Sequence, residues 1–249
     1  MIGVFSSFEE LRSITEKVAP HVIENSLTDL MILQNRFNLE RLYADYPEFR
    51  DIISSGGKER RIVSSLFEKL VVFSPKRATD DCIKILGIVD SNRRGYRYID
   101  RKYVEDNGNL NHWKVLIPKS NGSGAIGEIL PTPLVGEPLV EEPLVGYTQS
   151  FIGIGAFQTE KEAAACLKYV KSKFARTMLG VLKITQDNPP EKWKYVPLQD
   201  FTPASDIDWQ KPIPEIDRQL YAKYSLDEKE IQFIESHVRS CIHKGKELW

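Results

Sequence analysis

Residues 112–128 read HWKVLIPKSNGSGAIGE and residues 146–157 read GYTQSFIGIGAF. The run Trp113 to Ile117 has the β-branched and apolar content of a buried strand, Pro118 ends it, and Lys119-Ser120-Asn121-Gly122-Ser123-Gly124 is a polar loop. Ser150 to Phe157 reads as a second strand. Two strands delivering a loop with one cation, three small hydrogen-bonding side chains and two glycines make a surface suited to phosphates or base edges. The same composition also describes an ordinary tight turn. The fold class this implies is α+β: a mixed, largely antiparallel, β-rich domain packed on a long helix, with helical N- and C-terminal segments.

Toward the N-terminus the pattern between Ile62 and Asp106 is that of strands, with Leu70 to Phe73 and Ile83 to Val89 as the clearest. Next to them lies the densest basic and aromatic patch of the chain: Arg93, Arg94, Tyr96, Arg97, Tyr98, Arg101, Lys102 and Tyr103. Five cations and three tyrosines in eleven residues suit phosphate contacts and stacking on bases; the alternative is a β-hairpin with a charged outer face. Further upstream, Ser7-Phe8-Glu9-Glu10 has the form of a capping box, and Phe8, Leu11, Ile14 and Val18 keep helical spacing up to Pro20. Two short helices follow before Ile53, the second restarting at Pro47. Lys58, Arg60 and Arg61 then form a small basic cluster, either a solvated face or a phosphate contact.

Toward the C-terminus, Pro133-Leu134-Val135, Pro138-Leu139-Val140 and Pro143-Leu144-Val145 repeat, and a proline in each predicts an extended loop. Thr159 caps a helix expected to run to Leu182, with Cys166, Leu167, Val170, Phe174 and Met178 on one face and Lys161, Lys168, Lys171, Lys173 and Arg176 on the other. A short strand is expected at Lys192 to Leu198, a linker from Thr202 to Pro214, and a last amphipathic helix from Asp227 to His243. These elements divide as a helical segment 1–61, a β-rich domain 62–201, and a linker with C-terminal helix 202–249.

The 249 residues, 41% hydrophobic and 28% charged with a formal net charge of −1, suit a globular protein whose DNA-binding face, if it has one, is local. No run reaches the roughly 20 apolar residues of a membrane span, and the N-terminus lacks the features of a secretory signal, so a cytoplasmic location is expected. Cys82, Cys166 and Cys241 form no Cys-x-x-Cys pair, which predicts reduced thiols and no structural metal.

Three motifs carry possible chemistry. Phe151-Ile152-Gly153-Ile154-Gly155 matches the F-x-G-x-G of adenine-specific DNA methyltransferases, and Asn188-Pro189-Pro190 matches the start of their N-P-P-[YF]. Glu191 stands where the stacking aromatic belongs, and no acidic residue follows Gly155 at ribose-binding distance. Asp90 with Asp100 and Lys102 has the outline of a Mg²⁺-dependent nuclease, D…[DE]-x-K.

Taken in order, RRGYRYIDRKYVED, HWKVLIPKSNGSGAIGE, SFIGIGAFQTEKEAAACLKYVKSKFARTMLGVLKITQ, KWKYVPLQDF and IDRQLYAKYSLDEKEIQFIE resemble the C-terminal target-recognition region of adenine-specific type II restriction–modification methyltransferases. The specificity subunits of type I systems have similar architecture. The likeness covers about residues 60 to 240. It implies a domain that docks double-stranded DNA while a catalytic domain, upstream in the native chain, binds S-adenosylmethionine and methylates adenine. On this reading the fragment holds no catalytic residue, cofactor or metal. Its expected DNA-binding residues are Arg93, Arg94, Tyr96, Arg97, Arg101, Lys102, Lys119, Ser120, Asn121, Gly122 and Ser123. The competing readings are a restriction nuclease using Asp90, Asp100 and Lys102, and a protein-interaction module.

Overall fold

The computed structural model describes residues 8–23, 25–53, 56–90, 93–120, 136–183 and 186–239. Helices and largely antiparallel open sheets give an α+β fold, as expected. The chain divides into two compact units, each discontinuous in sequence. One comprises Leu30–Lys119 and Leu139–Ala163, the other Met1–Asp29, Ser120–Pro138 and Ala164–Trp249. The limits drawn from sequence at residues 61 and 201 do not coincide with these units.

The Leu30–Lys119 unit contains all the named strands: β1 (Met31–Ile32), β2 (Arg36–Phe37), β3 (Cys82–Val89), β4 (Arg93–Asp100), β5 (Val104–Glu105), β6 (Trp113–Pro118), β7 (Leu139–Glu141), β8 (Val145–Tyr147) and β9 (Phe151–Phe157). They form sheets in the orders β1-β9-β6-β7, β4-β3-β8 and β2-β5, with β3–β8 the parallel pair. The expected strands at 113–117 and 150–157 are therefore present and pair with each other antiparallel. Period-two alternation on β3 sends Ile83 and Ile85 into a core with Phe37, Leu42, Ile62 and Ile99. Gly87 and Gly95 face each other across the β3–β4 ladder, and a Cβ on Gly87 would sit 2.3 Å from the Phe67 ring, so the ring packs where a side chain would otherwise stand.

Leu70 to Phe73 is a turn, not the expected strand. Leu70 and Phe73 are both buried while Val71 is exposed, a spacing of three that matches the Phe73 N–H bond to the Leu70 carbonyl and no β alternation. The proline repeats also depart from a plain loop. Pro133 to Val135 lie outside the described residues, but the second repeat supplies β7 and the third leads into β8. Pro138 precedes β7 and Pro143 occupies the turn after it, so neither removes a ladder donor. Both segments are tied down by Lys114, whose buried Nζ donates to the carbonyls of Glu142 and Val145, each at 2.9 Å.

In the other unit α1 (Glu9–Val22) continues past Pro20, which is exposed and in the last turn, where a missing N–H leaves only a solvent-facing carbonyl unbonded. Its Lys17 reaches the buried Glu230 of α7 (Glu228–His237) at 2.7 Å, and Ser13 donates to the same carboxylate. Asp227 and Glu230 close the capping box of α7. Asp208 to Lys211, read as linker, is held by Lys168, whose Nζ donates to the carbonyls of Trp209, Gln210 and Lys211. After it comes α6 (Ile213–Lys223), a helix absent from the sequence expectation because the prolines at its start, Pro212 and Pro214, read equally well as the end of a linker. Lys192 to Leu198 is a short 3-10 turn with a single bridge, Ser26 to Pro197, in place of the expected strand.

The helix expected from Thr159 to Leu182 is two. Its start is as expected: Thr159 Oγ1 accepts from Glu162 N–H, and Glu162 accepts from Thr159 N–H. The first part is α4 (Glu160–Lys171), which spans the division between the units. Ser172 then leaves helical geometry, its hydroxyl accepts from Ala175 N–H, and α5 (Lys173–Gly180) begins. Asp217 of α6 accepts from the Lys173 and Phe174 N–H groups at 3.1 and 2.9 Å, completing the first turn of α5.

Burial outweighs these two bonds and pushes the Asp217 carboxyl from 3.8 up to about 6. Because the folded pKa is the higher one, the folded chain holds the proton more tightly. The stability this group contributes is present below about pH 4 and is lost as pH rises through about 6, on the order of 3 kcal/mol in all. Denaturant melts from pH 4 to pH 7 should therefore fall less for Asp217→Asn than for the parent chain; parallel profiles would show that Asp217 does not titrate in this window.

Candidate nucleic-acid interface

The eight rungs of the β3–β4 hairpin run from Cys82↔Asp100 to Val89↔Arg93. This register places Arg93, Arg94, Tyr96 and Arg97 along a strand, and Arg101 and Lys102 follow it in a 3-10 turn. The even-numbered residues Arg94, Tyr96 and Tyr98 share one face with Lys84, Leu86 and Ile88; the odd-numbered ones share the other.

At the hairpin tip Arg93 is 76% exposed, with Asp90 3.8 Å away. Arg94 next to it lies 5.7 Å above the Phe151 ring. Phe151 is the cross-strand neighbour of Pro118, and the following residue, Lys119, is exposed and fixed by its N–H bond to the Ser150 carbonyl at 2.9 Å. Ser64 ties the same end together: its Oγ accepts from Ile88 N–H and contacts the Thr148 hydroxyl, while its own N–H donates to Gln149. The tip of the β3–β4 hairpin and the end of β6 thus meet through Phe151, with Arg93, Arg94 and Lys119 at one end of this unit.

The remaining expected residues lie elsewhere. Arg97 is only 14% exposed and donates to Glu68 at 2.7 Å. Arg101 donates to the Val104 carbonyl within its own turn. Lys102 pairs with Asp45 at 2.9 Å and lies over the Tyr103 ring; the lysine hydrogen bond holds the Asp45 carboxyl below its usual range and its own ammonium above it. Tyr96 donates to Glu141, and burial followed by that carboxylate drives its phenol pKa well up. Each of these four side chains bonds another part of the protein, which composition alone does not reveal. Glu68, Asp45 and Glu141 stand 29, 57 and 45 residues from their partners, and no local pattern announces them. Ser120 is exposed, belongs to the other unit and bridges Asp187. Asn121, Gly122 and Ser123 lie outside the described residues, as do Ser91 and Asn92.

The chain matches no known family model and no curated protein.

Asp100 sits on the last rung at one end of the hairpin and Asp90 lies just past the other, separated by roughly 23 Å for seven steps of a strand. They cannot hold one Mg²⁺ with Lys102, and Asp100 instead accepts from the Lys102 N–H. Among the described residues no group of three or more His, Cys, Asp or Glu side chains is placed to hold a metal, and no helix is long and apolar enough to cross a membrane.

The methyltransferase-like motifs have structural explanations as well. Phe151 to Gly155 lies inside β9, flanked on both sides by antiparallel neighbours. A Cβ on Gly153 would sit 2.3 Å from Tyr147 Oη and 2.7 Å from Asn109 Nδ2, so this glycine makes room for a buried tyrosine hydroxyl. That hydroxyl donates to the Ile32 carbonyl and accepts from Asn107. Asn188 is wholly buried, which is not the posture of a residue presented to a flipped base.

Proposed function

We propose that the chain reads duplex DNA for an adenine-specific restriction–modification methyltransferase and carries no chemistry of its own. The supporting observation is the meeting of Arg93, Arg94 and Lys119 at one end of the strand-rich unit. Two arginine forks there can engage guanine O6 and N7 or phosphate, and a lysine point charge stands beside them. On this reading S-adenosylmethionine and the catalytic residues belong to a partner domain upstream in the native chain. The nuclease alternative has no support from the hairpin, which separates its two carboxylates.

The test is a titration of the full chain with duplex DNA at stepped salt concentrations. Three phosphate-directed cations predict a log–log slope of roughly −3, at about 0.9 per phosphate neutralised. No binding at low salt, or an affinity indifferent to salt, would rule the reading out.

A further inference from the structure

Arg36 on β2 and Arg61 face each other directly in an antiparallel bridge. The Phe37 N–H bonds the Arg60 carbonyl at 2.6 Å and the Ile62 N–H bonds the Asn35 carbonyl at 3.2 Å, one bond on each side of the pair. That pattern makes Arg36 and Arg61 a non-hydrogen-bonded pair, the closer kind, in which side chains stand nearest to each other on the same face. Like charges so placed are destabilising. They cannot drift apart, because Asn35, Phe37 and Ile62 beside them are wholly buried.

Two acids, Glu105 and Asp106, stand beside the pair without closing an ion pair to either arginine among the described residues. Among the described residues neither guanidinium makes an ion pair, and both side chains are exposed. Glu105, the register partner of Arg36 on β5, has its carboxylate 3.7 Å from Arg60 instead. The Asp106 oxygens are taken by the N–H groups of Gly108 and Leu110 and by the Asn111 amide. The two arginines open onto a cleft of about 350 Å³ whose wall also includes Glu105 and Asp106, together with Gln34 and Asn107.

We propose that Arg36 and Arg61 form a clamp for a phosphate oxyanion. Two planar guanidinium forks on one face can each donate two parallel N–H bonds to the same tetrahedral group, and an anion between them converts a repulsive pair into an attractive one. If the DNA reading above holds, on which this identification of the source rests, the oxyanion is a backbone phosphodiester. A free phosphorylated molecule is the other source of the same chemistry.

Two measurements on the full chain separate them, each comparing the parent with Arg36→Ala/Arg61→Ala; both residues are exposed, and circular dichroism checks that the variant folds. In duplex DNA titrations the variant's salt slope should be shallower by about one, the loss of a single phosphate contact. In equilibrium dialysis with inorganic pyrophosphate the parent should bind one equivalent and the variant none. A shallower slope supports the clamp on DNA whatever pyrophosphate does. An unchanged slope with stoichiometric, arginine-dependent pyrophosphate binding supports the clamp and assigns it a free ligand. If the parent binds no DNA, the proposed function fails and dialysis alone decides the clamp. No pyrophosphate binding, together with an unchanged slope or no DNA binding, overturns it.

Discussion

Phe174→Ala lowers stability by about 3 to 5 kcal/mol, the range for a large aromatic removed from a packed site. Phe174 is wholly buried at the start of α5 and stacks on Tyr224 with ring centroids 4.8 Å apart and planes 9° from parallel. Its own N–H is bonded by Asp217, so the backbone there is pinned and cannot collapse into the void. Phe174→Leu, which refills most of the volume, should recover over half of the loss. Chemical denaturation of the three chains checks this; a change under about 1 kcal/mol for alanine would mean that the α5 face is not packed.

Lys114→Met should be nearly as damaging, at roughly 2 to 5 kcal/mol, although it keeps the length and most of the volume of the side chain. Methionine offers no donor, so the carbonyls of Glu142 and Val145 are left buried without the bonds Lys114 gives them. The half-lost neighbour is Glu141, directly opposite Lys114 in the β6–β7 register and nearly buried, whose carboxyl pKa burial already raises. Burial pulls the Lys114 ammonium down to about 8, against the opposing fields of Glu141, Asp106 and Glu142. The folded pKa is the depressed one, so this group's stability contribution is greatest above about pH 10 and falls as pH drops through 8. Loss of less than about 1 kcal/mol in Lys114→Met at pH 7 would show that the segment carrying β7 and β8 does not depend on this lysine.

Elements governed by local patterns were legible. The apolar run Ile83 to Val89, the β-branched run at Trp113 to Ile117, the capping residue Thr159 and the apolar face around Phe174 each specify their structure within a few residues. What could not be read depends on partners far along the chain. Ser172 divides a helix whose apolar spacing continues across it, because its hydroxyl and the distant Asp217 offer the backbone a second set of acceptors. The prolines of the repeat look like strand breakers until β6 is seen to recruit the residues between them. Composition marks the basic patch but not that Arg97, Arg101, Lys102 and Tyr96 bond acceptors within the protein. The patch therefore divides between an exposed hairpin tip, where Arg93 lies 3.8 Å from Asp90, and residues whose side chains bond other parts of the protein.

That division is the centre of the account, and one comparison tests it most directly: duplex DNA affinity of the full chain carrying Arg93→Ala/Arg94→Ala/Lys119→Ala against the chain carrying Arg97→Ala/Arg101→Ala/Lys102→Ala, both confirmed folded by circular dichroism. The two variants remove the same net charge, so a nonspecific electrostatic effect would weaken both alike. A loss of about a hundredfold is expected for the first, at roughly 1 kcal/mol per contact, and a change within about threefold for the second. Equal losses, or a larger loss for the second, would contradict it.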